Sequence, residues 1–594
     1  MNTTNIKTNE VLLKDNGQWM HFSEPQQIIT AKSLDEVIPA LQEIEKIIAA
    51  DDLHAAGFVS YEAAPAFDKV NLTNPPTGFP LLWFGLYPAP DIIDLPNPLD
   101  QTQGGPDSAK PTLSWHPTTD RDTYNAAIDQ VKHHIAEGQT YQVNYTMRLQ
   151  ADFDVDPWKF FLRLAQTQNN HAAYIDLGQY VIASASPEIF FQLDGDTITA
   201  RPMKGTMPRG RTTFEDQKQA QALKDSEKNR AENVMIVDMI RNDLGRMARI
   251  GSVHVPELFT IEKYPTLWQM TSTVQAKTDA SLTEVFTALF PCASITGAPK
   301  VSTMRIISEL ETTPRRIYTG SIGYIAPNHK STFNVAIRTA LIDKETRSAE
   351  YGVGGGIVWD STSKDEYAEA LLKARVLTDD VPKFSLLETM LWIPKDGFFL
   401  REKHIERLLD SADYFDFSIS KKLIDEYLDH ISHKFIFPQR VRLLLDKNGN
   451  LSSEAKPFQS PKDHPLIKVC LAKEPVNSKN IFPYHKTTYR DVYDTARKDY
   501  PEYDDVLLFN ENQELTEFTI GNLVVEMDGQ LYTPPVSCGL LAGTFREHLL
   551  ESGQAKERVI QLTELQNCTK VFLVNSVRKW QQVKLNDIRS ASTT

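Results

Sequence analysis

The chain has 594 residues, 41% hydrophobic and 24% charged, with a formal net charge of −15. That length exceeds what one hydrophobic core organises and predicts at least two large domains, and the ordinary composition, without low-complexity tracts or short repeats, predicts that most of the chain folds. The acidic balance excludes a nucleic-acid or anionic-membrane surface, and the four scattered cysteines, Cys292, Cys470, Cys538 and Cys568, exclude a disulfide framework or a paired-cysteine zinc site.

In chain order, the opening residues MNTTNIKTNEVLLKDNG carry no apolar signal core, and the apolar run Leu81 to Tyr87 is far short of the ~20 residues that span a bilayer. With so few cysteines, an unanchored protein of the reducing cytoplasm is expected. Helical patterns follow at TYNAAIDQVKHHIAEG and AENVMIVDMIRNDLGRMARIG, alternating with strand-like YVIASA and SIGYIA. The polar, proline-containing TDDVPK places a boundary near residue 380. We therefore expect a domain over 1–378, a linker over 379–383 and a second domain over 384–594. The latter predicts a helix at REKHIERLLDSADYF, a strand pair with an Asn-Gly turn in RVRLLLDKNGNLSS, and strands in YDDVLLFNENQELTE. Both domains read as mixed α and β.

Three features of the first domain carry chemistry. RPMKGTMPRGR (201 to 211) combines glycine, proline and four cations, which predicts an ordered turn rather than a regular element. It presents either charge for an anionic ligand or a solvated basic surface. Lys204 becomes a nucleophile if desolvation or its sequence neighbours Arg201 and Arg209 lower its pKa. Glu366 and Glu369, spaced i,i+3, share a helical face and with Glu232 would supply oxygen ligands for Mg²⁺. Structural roles are open to both: Ser363-x-x-Glu366 is a capping-box pattern, and Glu369 lies four residues before Lys373. GVGGGIVWDS, with Gly354, Gly355 and Gly356, reads as an anion nest or as a plain glycine-rich turn.

Taken in order, EGQTYQVNYTMRL, SPEIFF, RPMKGTMPRG, AENVMIVDMIRNDLGR, SITGAPK, GSIGYIA, FNVAIRTAL and GGGIVWDS resemble the chorismate-utilising enzymes over roughly residues 50 to 378. The resemblance implies a two-sheet α/β sandwich like that of anthranilate synthase component I. It implies Glu232 and Glu369 as Mg²⁺ ligands with Glu366 as a further one, Arg338 and Gly354 to Gly356 as binders of a chorismate carboxylate, Tyr324 beside the ring, and Thr296 at the substrate's border. Anthranilate synthases have alanine where Lys204 stands. Aminodeoxychorismate synthases have PIKGT-like loops whose lysine attacks the ring, so the resemblance implies Lys204 as a covalent nucleophile and Glu188 as an acid/base candidate. Gln269 replaces the histidine of many relatives and leaves the proton donor to the departing hydroxyl open. No cysteine lies in a glutaminase nucleophile turn, so ammonia is expected from a separate glutamine amidotransferase subunit or from free ammonium.

In the second domain Lys486 lies in FPYHKTTYR and Glu517 follows about 30 residues later, a lysine and a carboxylate of the kinds that pyridoxal phosphate requires. Alone, Lys486 reads as a surface lysine and Glu517 as a strand-edge acid. HIERLLDSADYF, YHKTTYR, LTEFTIGNLVV and CGLLAGTFREHLL together resemble fold-type IV pyridoxal-phosphate enzymes, which include D-amino-acid aminotransferases and aminodeoxychorismate lyases, over about residues 384 to 585. That implies Lys486 as the Schiff-base lysine, Glu517 as partner of the pyridine nitrogen, and Arg407, the backbone of Ile520 and Gly521, and Thr544 as the phosphate cradle. The motifs fit aminotransferases and lyases alike; neighbourhood favours a lyase releasing 4-aminobenzoate for folate biosynthesis. An anthranilate-forming first domain, and a second domain that is a pyridoxal-phosphate aminotransferase or an inactive scaffold, are the alternatives, and a homodimer through the second domain is a further expectation.

Overall fold

The computed structural model describes residues 6–95, 113–166, 171–377, 382–459 and 466–585. Most of the expected linker, residues 379–381, lies outside them. The chain divides into two compact units, Met1–Pro208 with Ala220–Val381, and Arg209–Gln219 with Pro382–Thr594.

The first unit is built on two ten-stranded sheets, each a path of nine strands with a tenth paired beside it, His116–Pro117 on Gln142–Asp152 in one and His254–Lys263 on Leu267–Lys277 in the other. One runs Gly297–Ala298, Gln142–Asp152, Ser348–Ile357, Thr339–Asp343, Tyr180–Ser184, Ala172–Asp176, Val11–Asp15, Gln18–Phe22, Asp91–Ile93. The other runs Met203–Pro208, Leu267–Lys277, Thr197–Arg201, Ile189–Asp194, Lys330–Val335, Ser321–Ala326, His54–Val59, Leu82–Tyr87, Gln27–Ala31. Apolar residues from both, among them Val11, Ile182 and Leu341 from the first and Phe58, Trp83 and Ile322 from the second, form one buried cluster, so the sheets pack face to face. Helices Leu34–Asp51, Glu227–Gly245 and Leu282–Leu289 bury their apolar faces with the second sheet, and Arg121–Ala136, Pro157–Ala165 and Ser363–Ala374 theirs with the first. This is the expected two-sheet sandwich clothed in helices. Its helices start where the sequence offers caps: Asp120 accepts from Thr123 N and Ser226 from Asn229 N.

In the second unit a four-stranded antiparallel sheet, Gly397–Phe398, Leu386–Ile393, Gln439–Leu445, Leu451–Pro457, packs against helices Arg401–Phe415 and Lys421–Ser432. The Asn-Gly turn forms as expected, with Gly449 at φ +85°. An eight-stranded sheet follows, in which Glu517 pairs with Asn522 and closes Leu515–Phe518 onto Gly521–Met527. That pairing joins six of its strands into a ring. No helix among the described residues is long and apolar enough to cross a membrane.

Candidate active sites

Lys204 lies on the strand Met203–Pro208, just after Pro202, whose missing N–H ends the strand Thr197–Arg201. The composition of this segment predicts an ordered turn. The segment instead pairs with Leu267–Lys277 through a register shift between Met203 and Thr206, eased by Gly205 at φ +93°. Two amides brace this bulge: Gln269 Nε2 donates to the Gly205 carbonyl at 2.9 Å, and Asn233 Nδ2 to the Lys204 carbonyl at 3.4 Å. Asn233 Oδ1 accepts in turn from Ser272 at 2.6 Å.

Burial lowers the pKa of the Lys204 amine, opposed by Glu232, Glu188 and Glu369 and reinforced by Lys373. Arg201 and Arg209, expected to do this, are neutralised elsewhere, by Glu262 at 2.5 Å and Asp216 at 2.7 Å. Near the amine, Glu188 Oε1 and both amide atoms of Gln142 are buried without hydrogen-bond partners. Burial pushes the Glu188 carboxyl up to about 7 against the pull of Ser294 and Lys204. A Cβ on Gly356 would fall 2.5 Å from Gln142 Nε2 and 2.9 Å from Lys204 Nζ, so these three residues line one spot.

The glycine-rich segment is neither nest nor turn but the strand Ser348–Ile357, paired along its length with Gln142–Asp152. Glycine is required by close approach: a Cβ would lie 2.2 Å from the Tyr318 ring at Gly352 and 2.2 Å from the Tyr145 carbonyl at Gly354. Tyr318 is thus the tyrosine of this region that faces the glycine strand. Tyr324 is set elsewhere, its hydroxyl 3.1 Å from Asp15 Oδ2 and its ring near Phe22. Arg338 sits at φ +50°, a costly conformation for a residue with a Cβ. No carboxylate pairs with its guanidinium among the described residues, and burial lowers its pKa beside Tyr351 and Tyr264. Thr296 is fully buried with its hydroxyl on the Cys292 and Ala293 carbonyls, so only its backbone, bonded to Asn144 N, borders the Gln142 strand.

The helix Ser363–Ala374 begins at the expected cap, and its N-cap is Thr362, one residue earlier. Thr362 accepts from Asp365 N, so no box forms between Ser363 and Glu366, and Glu366 instead accepts from Ser361 at 2.6 Å. Burial raises the Glu366 carboxyl and Glu369 adds to the rise. Glu369 does pair with Lys373, at 2.9 Å, and Lys373 also donates to the Gly354 carbonyl at 2.9 Å.

In the second unit Lys486 follows the turn Phe482–Tyr484, and its carbonyl accepts from Leu387 N at 2.9 Å. Burial pushes its amine down to about 8, with Arg407 and Arg490 acting the same way against Glu388 and Glu517. Glu517, at the closing seam, accepts from Tyr493 Oη at 2.7 Å, Leu541 N at 3.1 Å and Asn522 Nδ2 at 3.1 Å. Burial nevertheless pushes it up to about 7. Arg407 and His404, one turn apart on the helix Arg401–Phe415, share Glu388: two Arg407 nitrogens bond it at 2.9 and 2.7 Å and His404 Nδ1 at 2.6 Å. Burial alone would raise Glu388, but these two partners hold it down to about 2. Since that carboxylate only accepts, His404 carries its proton on Nδ1, and Nε2 accepts from Thr544 Oγ1 at 3.3 Å. The Thr544 hydroxyl proton is thereby directed at His404. Gly543, before the helix Thr544–Glu551, admits no side chain: a Cβ there would lie 1.8 Å from Asn522 Oδ1.

Residues 8–379 match the family model described as chorismate binding enzyme. The chain belongs to that family. Residues 385–585 match the model described as amino-transferase class IV, so a fold-type IV aminotransferase-like domain follows the chorismate-binding one. Among curated relatives, aminodeoxychorismate synthase component 1 of Salmonella typhimurium is 43% identical over 44% of this chain and 58% of its own length. Component 1 of Escherichia coli is 41% identical over 46% of this chain and 60% of its own. The matches thus span under two thirds of these relatives. The anthranilate synthase component I structure from Streptococcus pneumoniae superposes with a TM-score of 0.50 at 24% identity, covering 63% of this chain and 91% of that one, which shows the fold of the chorismate-binding unit.

Two groups expected of these domains can be weighed against the residues. For Mg²⁺ the donors are right in kind: Glu232 and Glu369 both face Lys204, and Glu366 faces Glu369. They are not drawn together into a ready cluster among the described residues, Lys373 and Ser361 being their present partners. For pyridoxal phosphate, Lys486 is under the charges of Arg407 and Arg490 and of the Glu388 and Glu517 carboxyls, and glycine is enforced at Gly521 as well, where a Cβ would lie 2.8 Å from the Val574 carbonyl. Ile520, 43% exposed, sits beside it. The residues fit that group. Sequence reasoning missed Gln142, Tyr318, Asn233, Tyr493 and Glu388. Gln142 and Asn233 stand within the motifs EGQTYQVNYTMRL and AENVMIVDMIRNDLGR and Tyr318 just before GSIGYIA, so these three carried a signal.

Proposed function

We propose that the chain makes 4-aminobenzoate from chorismate and ammonia in two steps. The observation that supports the first step is the buried Lys204 amine, its pKa lowered, lying against unpartnered Gln142 and Glu188 atoms in the chorismate-binding unit. As the free base, Lys204 Nζ bonds to ring C2 while the C4 hydroxyl leaves with its electron pair and takes up a proton as water. Ammonia then bonds to C4, the C2–Nζ bond breaks, and 4-amino-4-deoxychorismate results. Glu188, titrating near 7, holds the proton that the departing hydroxyl needs. Arg338 and the Gly354–Gly356 strand take one substrate carboxylate, and Mg²⁺ on Glu232, Glu366 and Glu369 would neutralise the other.

Ammonia comes from elsewhere on this reading, as a separate amidotransferase subunit or free ammonium. All four thiols are pushed up by burial, Cys292 and Cys538 to about 12 and Cys470 and Cys568 to about 11, which is the opposite of an activated nucleophile.

In the second step, bound pyridoxal phosphate supplies the electron sink. Arg407, the backbone at Ile520 and Gly521, and Thr544 would hold its phosphate, and Glu517 would serve as the partner of its ring nitrogen. Lys486 would move the proton as the amino-deoxychorismate loses pyruvate and its ring becomes aromatic. Incubating the purified chain with chorismate, Mg²⁺, ammonium and pyridoxal phosphate should yield 4-aminobenzoate and pyruvate in equal amounts. Anthranilate would overturn the first step, and accumulated amino-deoxychorismate the second. A Lys204→Ala chain that keeps its rate would remove the nucleophile role.

A further inference from the structure

Five residues past Lys204 the chain enters the segment Arg209–Gln219, which belongs to the second unit. It is rigid by construction. Arg209 bonds both oxygens of Asp216 at 2.8 and 2.9 Å, Gly210 N bonds Asp216 Oδ1 at 2.9 Å, and Arg211 forks onto Glu215 at 2.9 and 2.6 Å. Gly210 admits no larger residue, since a Cβ would lie 2.1 Å from Asp216 N. The Arg209 and Asp216 side chains are both only 5% exposed, so this pair is buried where loop cations are ordinarily solvated.

Several of its outward bonds end on Tyr484, on His485 or on Tyr414, whose ring packs against that of His485. Tyr414 Oη donates to the Gly210 carbonyl at 2.6 Å, and the Arg209 guanidinium lies over the Tyr414 ring at 4.4 Å while bonding its carbonyl at 3.0 Å. Arg211 Nη1 donates to Tyr484 Oη at 2.8 Å, and His485 Nε2 donates to the Arg211 carbonyl at 3.1 Å. His485 Nδ1 accepts from Ser411 Oγ at 3.0 Å, and its ring rests 4.3 Å from that of Tyr414 and 4.8 Å from that of Phe415. Burial pushes the imidazole down to about 4, so the ring is neutral, with its proton on Nε2 toward the Arg211 carbonyl. Tyr484 and His485 are the two residues immediately before Lys486, whose own carbonyl is held by Leu387 N.

We propose that Arg209–Gln219 is a strap that positions Lys486, gripping Tyr484 and His485 so that the amine is delivered in a single place between Arg407 and Glu517. Arg211, Tyr414 and His485 are then positioning residues for the pyridoxal-phosphate step, although Arg209 to Gln219 lie in sequence within the chorismate-binding half. The proposal rests on the cofactor reading given above.

Its test uses the full chain. Tyr414→Phe removes the bond to Gly210, Arg211→Ala that to Tyr484, and His485→Phe keeps the ring packing while losing both nitrogen bonds. Loaded with pyridoxal phosphate, each should release the cofactor about three- to tenfold faster than the parent, the effect of one lost hydrogen bond. The visible absorbance should also titrate at a shifted pH, which a merely structural defect would leave in place. Without cofactor, backbone hydrogen exchange across residues 484–488 should be faster in the same variants. Parent-like release, titration and exchange in all three would overturn the strap. Lys486→Ala is run beside them: a parent chain that, like it, gains no visible absorbance overturns the cofactor reading itself, whereas a coloured parent with unaltered variants overturns the strap alone.

Discussion

Lys204 Nζ and Gln142 Nε2 approach Gly356 from two different strands, so that one added methyl group would touch both, at 2.9 and 2.5 Å. These contacts are with the ends of flexible side chains, which can move. At Gly354 the same methyl would meet the Tyr145 carbonyl at 2.2 Å and Thr146 Cα at 2.7 Å, which are backbone and cannot. Gly356→Ala should therefore leave the melting temperature within a few degrees of the parent and cut chorismate consumption by about tenfold or more, because it fills the spot that the amine faces. Gly354→Ala should destabilise by about 1–3 kcal/mol through overpacking. A Gly356→Ala chain with an unaltered rate would move the reaction away from Lys204.

Gln269 stands where a proton donor was in question, yet its amide is spent on the Gly205 carbonyl. A positioning role and an acid role predict opposite signs for one change. Gln269→Glu replaces the donor by a carboxylate that repels the carbonyl, so kcat should fall by about tenfold with little change in KM for chorismate. Were the side chain the proton source, the glutamate would raise the rate or shift its pH profile; steady-state kinetics from pH 6 to 9 decide between the two.

Most of the architecture was legible because periodicity and turn chemistry are local: the helix Arg401–Phe415 and the Asn448–Gly449 hairpin stand where the sequence puts them. Failures arose where a contact distant in sequence decides. The stretch around Gly354 looks like a turn by composition, but Tyr145 and Tyr318 press so closely on it that only glycine can serve as strand there. Arg209 looked like an influence on Lys204 because it is near in sequence, and Asp216 and Tyr414 claim it instead. Tyr324 and Tyr318 stand six residues apart in one segment, and only the fold shows which one meets the glycine strand. The Glu366 cap failed by a single residue, since Thr362 competes for the same N–H groups.

The Lys486 amine, pushed down to about 8 from 10.5, sets a pH profile for cofactor capture. Below that value the amine is mostly ammonium and cannot attack, so the initial rate at which the cofactor-free chain gains visible absorbance should rise about tenfold per pH unit from pH 6 and level near pH 8. A rate that keeps climbing toward pH 10 would mean that the amine is solvated and ordinary, and that the burial around it opens in solution.

Tyr493 Oη is a donor to the Glu517 carboxylate, and it acts to lower a pKa that burial has raised to about 7. Removing it in Tyr493→Phe must raise that pKa further, so at pH 7 the carboxyl becomes mostly neutral and loses its charge-assisted grip on a protonated ring nitrogen. Cofactor release should then be about tenfold faster than in the parent near pH 7. The gap should narrow toward pH 9, where both carboxyls are ionised. Glu517→Gln, which cannot ionise, should release quickly at every pH. A Tyr493→Phe chain whose release is equally fast across that range would show that the phenol acts by packing alone, through its buried ring beside Arg490.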